Sequence, residues 1–373
     1  MSEQRLDQVR FSRKRPNAWS VDLKASSVYR PSGDRLIDQP AFTTSRKADT
    51  LEIRGGSIAQ GGNLLLGRGN DTLRLQLESW SGENAWTLNT GEDDDRIELQ
   101  QLQEDMADLI EAFSLELGDG NDSIITRGPI VLRGSNSRYS QINAGLGSDQ
   151  LQLGHAHLEA VNLDTGPGKD LLILFEVENS NLSSADDADT ITLLVNGRFS
   201  GSSLSCGAGE DRLELSGSIE DSAIDTGSGG DQIDAHEQLQ RTEINTGDGD
   251  DDLFAAMLTD CSIQTGDGDD TITGHLSGIN DITLNDGNDL FRLNGFTEEG
   301  STINAGTGYD TLISDVSLLI TDSNSALVPS YTETISDSGN FVFTYYGDSD
   351  APLLTLIGFE SISFANTSFG SVT

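Results

Sequence analysis

The stretch Thr246–Ile272, TGDGDDDLFAAMLTDCSIQTGDGDDTI, decides the fold. It carries one device twice: a Gly-x-Gly-x-Asp turn, then a short run with an apolar residue two places after the Asp. The two terminal aspartates, Asp251 and Asp270, are 19 residues apart. That interval is too regular for a loop and too short for a domain, so it reads as one coil of a solenoid.

Working outward, the same terminal aspartate recurs as Asp71, Asp95, Asp122, Asp149, Asp170, Asp189, Asp211, Asp231, Asp251, Asp270, Asp289 and Asp310. Successive intervals run from 27 down to 19 residues and are nearly constant in the second half; the first half carries insertions. Two residues after each Asp stands an apolar side chain (Leu73, Ile97, Ile124 and so on to Leu312), and seven residues before it stands another (Leu64, Leu88, Leu115 and so on to Ile303). This frame predicts two inward-facing strands per coil, one on each side of the turn. Neither strand buries its apolar face alone, so the coils must stack. The expected fold is all-β: a parallel β-roll or β-helix solenoid of about twelve coils over residues 51–315, with a basic arm at 1–50 and a β-rich cap at 316–373.

Composition agrees with a folded, charge-compensated scaffold. The 373 residues include 41 Gly, 62 acids and only 22 Lys and Arg, for a net charge of -40. The acids recur at fixed places between apolar residues, unlike the blocks of a disordered acidic chain. Such a charge calls for a divalent cation and argues against nucleic acid as a partner. The charge is uneven: residues 1–47 hold 10 basic and 5 acidic residues, and no Lys or Arg follows Arg292. Two cysteines, Cys206 and Cys261, make no disulfide framework, and their coils are too far apart for them to pair. No apolar run reaches the length of a membrane span, and the first residues lack the apolar core of a Sec signal peptide.

The turn chemistry names the cation. Glycines open backbone angles that let carbonyl oxygens line the turn, and the Asp adds a carboxylate. Stacked turns therefore offer cages made only of oxygen, which suit Ca²⁺ better than Mg²⁺; zinc and copper prefer His and Cys. The expected ligands are Asp71, Asp95, Asp122, Asp149, Asp170, Asp211, Asp231, Asp251, Asp270, Asp289 and Asp310, with the glycines best placed to line the turn being Gly227, Gly229, Gly247, Gly249, Gly266 and Gly268. Near Asp95 the second Gly is Asp93, and near Asp289 the first is Asn285. Before Asp189 both glycines are gone (SADDADTI), so a broken or weak site is expected there.

The segments TGDGDDTIT, TGDGDDDLF, NDGNDLF, AGTGYDTLI and GRGNDTLRL resemble the nonapeptide of the RTX (repeats-in-toxin) family, Gly-Gly-x-Gly-x-Asp-x-apolar-x. The resemblance covers roughly residues 64–313 and implies a parallel β-roll with Ca²⁺ between turns. This chain departs from the pattern, because its motif occurs once per coil of about 20 residues. One calcium-lined edge is therefore expected, with the opposite turns polar, variable and free of a ligand pattern. The segment IGFESISFANTSFG partly resembles the C-terminal strand pattern that follows such rolls, with Asn366 and Thr367 where that pattern has Asp-Gly. In that family a C-terminal signal directs type I secretion, which implies an extracellular or cell-surface location reached without an N-terminal signal peptide.

The irregular stretches carry their own expectations. In QEDMADLIEAF (103–113), Met106, Leu109, Ile110 and Phe113 fall at helical spacing and predict a short amphipathic helix. RGPIVLRGSNSRYS (127–140) reads as a loop. The arm, with Trp19-Ser-Val-Asp-Leu, suggests one strand at most. FVFTYY (341–346) and LLTLIGFESISFANTSF (353–369) read as two to four strands that cover the end of the stack.

For function, HExxH, GxSxG and P-loop motifs are absent, and His155 and His157 read as a turn or partly buried pair. The favoured reading is a calcium-stabilised extracellular structural or adhesive protein without catalysis. Self-assembly into a surface layer or filament follows from pairing the basic arm or the ends of the roll with another copy, and cell-surface polysaccharide is a candidate partner. A phage or virion tail or fibre component and a polysaccharide-active β-helix enzyme are the alternatives.

Overall fold

The computed structural model describes residues 63–76, 86–100, 108–135, 138–296, 300–314 and 352–364, and strand backbone outside them at 12–15, 18–22, 28–29, 50–54, 57–59, 79–81, 319–321, 327–329, 331–335, 341–346 and 367–368. Every described element is a β-strand. The chain divides into two compact units, Met1–Ser203 and Leu204–Thr373, each a parallel β-solenoid.

In the second unit a coil follows from the sequence period. Glu243–Asn245 leads into the acidic turn, Asp252–Thr259 leads out of it, a corner at Asp260 reverses the chain, and Ser262–Gln264 begins the next coil. Asp252–Thr259 lies parallel between Gln232–Gln240 and Thr271–Ser277. Glu243–Asn245 lies parallel between Ala223–Asp225 and Ser262–Gln264. In-register stacking places Ile233, Leu253, Ile272, Phe291 and Leu312 in one column and Ile224, Ile244, Ile263, Ile282 and Ile303 in another, all buried. Each such side chain contributes roughly 1.5–3 kcal/mol on burial. These columns are the ones the two apolar positions of the repeat specify.

The first unit departs from two strands per coil. Its early coils have three, Arg96–Gln100, Asp108–Glu111 and Phe113–Asp119, stacked parallel on Ser123–Arg127, Ile130–Arg133 and Ser140–Leu146, while Leu171–Glu178 and Thr190–Ser200 already fuse the first two. In the second unit the first two are mostly fused into one long strand, such as Gln232–Gln240, with a register irregularity between Ala235 and Gln238.

Two expectations are corrected here. Residues 108–113 are not helical; 101–107 lie outside the described residues. The helical spacing of Ile110 and Phe113 arises because Ala112, in the left-handed region at φ 55°, is a corner between two strands and resets their alternation. Likewise 127–140 is not only loop: Ile130–Arg133 is a strand that buries Ile130 and Leu132 after a corner at Gly128-Pro129.

The basic arm supplies three strands, Ser12–Arg15, Ala18–Asp22 and Val28–Tyr29, where one at most was expected. Ala18–Asp22 pairs parallel with Thr50–Arg54, which pairs parallel with Thr72–Gln76. At the other end, Pro352–Ile357 and Ser361–Phe364 form one more parallel coil on Ser301–Asn304 and Thr311–Ser314. Phe341–Tyr346 then pairs antiparallel with Pro352–Ile357, and Thr367–Ser368 antiparallel with Ser361–Phe364. Antiparallel partners end the parallel stacking and cover a sheet edge that is otherwise open.

Candidate metal centre

All twelve terminal aspartates sit in the same turn of their coils, none more than 4% exposed. A buried carboxylate needs partners, and the backbone of the neighbouring coil supplies one. In the first unit the amide of Asp71 donates to Asp95 Oδ1 at 2.7 Å, that of Asp95 to Asp122 Oδ1 at 2.6 Å and that of Asp122 to Asp149 Oδ1 at 2.7 Å. Asp149 donates to Asp170 at 2.7 Å, and Asp170 to Asp189 at 2.8 Å. In the second unit the ladder runs Asp211, Asp231, Asp251, Asp270, Asp289, Asp310, each amide donating at 2.7–2.9 Å to the Oδ1 that follows.

In nine of these carboxylates one oxygen is thus engaged by an amide, and the other is not. Oδ2 of Asp95, Asp122, Asp149, Asp170, Asp231, Asp251, Asp270, Asp289 and Asp310 is buried without a hydrogen-bond partner. Carboxylates one coil apart, at about 4.8 Å, repel by roughly 3 kcal/mol per pair at an effective dielectric of about 20. Burial, aided for most by neighbouring acids, pushes Asp95, Asp149, Asp251 and Asp289 from the ordinary 3.8 up to about 7, and Asp122, Asp270 and Asp310 up to about 6. Burial also raises Asp170 and Asp231. The ladder is therefore short of positive charge.

The glycines explain how the turns stack so closely. Gly247 and Gly249 have φ of 94° and 138°, and a Cβ on either meets the carbonyl oxygen of Gly227 or Gly229 at 1.6 or 1.8 Å. Only glycine allows one turn's carbonyls to lie against the Cα atoms of the next. Gly227, Gly229, Gly266 and Gly268 repeat this arrangement. The substituted turns keep the same backbone: Asp93, Ala185, Asp187 and Asn285 all adopt left-handed φ. At Asp189, where a weak metal site is expected, the ladder bond is kept, since Asp189 Oδ1 accepts the Asp170 amide. Asp and Asn tolerate that region, whereas Ala185 is strained in it.

Other ladders brace the turn. Thr226, Thr246 and Thr265 each donate their hydroxyl to a carbonyl one coil on, at 2.9–3.1 Å. An exposed ladder runs in the opposite sense through the residue before the Asp: Asp269 N–H donates to Asp250 Oδ1, Asn288 N–H to Asp269 Oδ1 and Tyr309 N–H to Asn288 Oδ1. The repeat treats that place as any residue, so only the coil-to-coil register reveals it.

The opposite corner is also more ordered than its variable sequence suggests. Ser140 Oγ accepts the amide of Phe113, Ser180 Oγ that of Val161, Asn280 Oδ1 that of Cys261 and Ser301 Oγ that of Asn280, at 3.0–3.1 Å. This is the acidic ladder rebuilt with neutral oxygens, which the backbone amides consume. Cys261 belongs to this corner, while Cys206 lies in the acidic turn, five residues before Asp211; both are buried and no disulfide joins them. His157 lies on a strand with its ring 3.8 Å from Glu176 and 3.6 Å from Glu178, apart from the acidic turns.

The residues fit a hard cation. Among the described residues no three His, Cys, Asp or Glu side chains gather at one point, so each ion would take carboxylate oxygens singly and backbone carbonyls for the rest. That all-oxygen, flexible donor set is one Ca²⁺ accepts.

No protein-family model matches the chain. No curated protein matches it in sequence. Among solved structures it is similar to a hyperactive, Ca²⁺-dependent, β-helical antifreeze protein from an Antarctic bacterium, with a TM-score of 0.54 at 17% identity, over 97% of each chain. That likeness supports the fold: this chain is a parallel β-solenoid.

Proposed function

We propose that the chain is a calcium-stabilised scaffold or adhesive protein that acts outside the cell and performs no catalysis. The observation that carries this reading is the column of buried Oδ2 atoms without a partner, repeated coil after coil beside stacked glycine carbonyls. Asp95, Asp122, Asp149, Asp170, Asp231, Asp251, Asp270, Asp289 and Asp310 hold the ions through these oxygens. Asp71 and Asp211 occupy the same turn place and complete the set. The carboxylates are committed to the turns, those of Asp95, Asp122, Asp149, Asp170, Asp231, Asp251, Asp270, Asp289 and Asp310 with one oxygen held by a neighbouring amide, which leaves them badly placed for acid–base work on a substrate. The Ca²⁺ dependence of the structural neighbour supports the choice of ion; its antifreeze activity is not carried across on a shared fold.

Calcium-dependent folding suits a chain that stays unfolded until it meets the roughly millimolar calcium to which weak extracellular sites are tuned. Export by a type I-like route fits that order of events. The basic arm, whose residues 1–47 hold 10 basic against 5 acidic residues, is complementary to the acidic remainder of a second copy, so assembly into a layer or filament is part of the reading. A cell-surface polysaccharide is the proposed partner class for the outward strand faces, whose columns mix Arg212, Gln232 and Thr271 with Asp252 and Leu290.

The test is chelation. β-sheet circular dichroism falls on adding EGTA and returns with Ca²⁺ but not with Mg²⁺; indifference to chelator sinks the calcium reading. Electron microscopy with and without Ca²⁺ tests assembly, and recovery of the full chain only from phage particles favours the virion alternative.

A further inference from the structure

We propose that the last coil holds one further ion, between Asp310 and Glu360, on a rung whose closing side has no Gly-x-Gly-x-Asp sequence. The inference rests on the calcium reading above and extends it to a residue the repeat does not contain.

Register places Glu360 on the ladder. Its Oε2 accepts the Asp310 amide at 2.7 Å, as each Oδ1 does for the coil before. Ser361 N–H donates to the Asp310 carbonyl at 3.0 Å, as Thr311 N–H does to that of Asp289 at 2.8 Å. Glu360 therefore occupies the place of a terminal aspartate, 50 residues on instead of about 20.

The closing turn is shorter. Asn304 pairs with Ile357, so only Gly358 and Phe359 stand between that strand and Glu360, where residues 305–309 stand before Asp310. Gly358 takes the tight corner at φ 85°, and Phe359 is buried beneath it. The extra methylene of Glu lets this shorter turn deliver a carboxylate to the same amide.

A second observation points to a ligand. Asp310 is 0% exposed, its Oδ1 accepts the Asp289 amide at 2.9 Å, and its Oδ2 is buried with no partner. The Glu360 carboxylate lies close enough to disfavour the charge of Asp310. No Lys or Arg follows Arg292, so this part of the chain has no cation of its own to offer. A bound divalent ion compensates both groups.

Terbium, which replaces calcium and scatters anomalously, provides the test. In crystals of the whole chain soaked in Tb³⁺, a peak is expected between the carboxylates of Asp310 and Glu360. In solution, Glu360→Gln keeps the acceptor for the Asp310 amide and removes the charge, so circular dichroism is retained and the count of bound Ca²⁺ by equilibrium dialysis falls by one. Peaks at the inner rungs with none at Glu360, or an undiminished ion count in E360Q, overturn the inference. Binding of no ion by the parent chain overturns the calcium reading as well, and the two failures are thereby distinguished.

Discussion

The amide of Asp231 donates to Oδ1 of Asp251 at 2.7 Å, while Oδ2 of the same carboxylate is buried without a partner. One side chain thus does two separable things: it fastens a coil to its neighbour and presents a charge to an ion.

Asp251→Asn separates them. The amide oxygen keeps the bond to Asp231, and the buried charge is lost. In chelator D251N should be more stable than the parent, and in Ca²⁺ less stable, by about 1–3 kcal/mol in each direction. Denaturant midpoints with EGTA and with Ca²⁺ give both signs, and a shift in the same direction under both conditions refutes the assignment.

The pH dependence of the chelated protein follows from the raised carboxyls. Asp95, Asp149, Asp251 and Asp289 stand near 7 when folded, against about 3.9 when unfolded. A group raised in this way contributes stability that is fully present below the unfolded value and is lost as pH rises through the folded one. In EGTA the melting temperature should therefore climb as pH falls from 8 to 5. Calcium-loaded protein should run the other way, because the ion needs the deprotonated carboxylate. Parallel melting curves in the two conditions count against the site.

Gly249→Ala tests the close approach of the turns. Its Cβ falls 1.8 Å from the Gly229 carbonyl oxygen at a φ of 138°, so backbone must move. A loss of about 2–4 kcal/mol is expected. The control is Gly230→Ala, whose Cβ comes no nearer than 3.1 Å to the Asp250 carbonyl. Equal losses in the two variants contradict the stacking described above.

The neutral corner should ignore calcium. Ser180→Ala removes the acceptor for the Val161 amide at 3.0 Å. The cost should be about 1–3 kcal/mol, and the same in EGTA as in Ca²⁺. A cost that changes with calcium shows that the two corners are coupled.

Much of the acidic turn was legible because it repeats: Asp251 and Asp270 fix the coil, and Leu253 and Ile272 fix its inward face. Corners were harder to see. Ala112 and Gly128 reset the alternation that marks a strand, so Ile110 and Phe113 mimic a helix turn and Ile130 and Leu132 are hidden in an apparent loop. The Ser180 and Ser301 ladder was missed because its residue type varies, with only an accepting oxygen kept. Glu360 was missed because its partner lies 50 residues back, outside the period that located every other rung. The left-handed backbone at Asp187 shows that a turn outlasts the loss of its glycine.

The ladder has a direction in time. Within each unit the ladder amides, those of Asp71 to Asp170 and of Asp211 to Asp310, donate forward, to a carboxylate that comes later in the chain, as Asp289 does to Asp310 and Asp310 to Glu360. A stack that grows from its N-terminal end within a unit therefore carries a newest coil whose buried amide still lacks its acceptor. Growth satisfies each coil only by exposing the next, until Glu360 arrives. The stack is thus polar along the sequence, because each of these amides finds its acceptor only in the coil that follows.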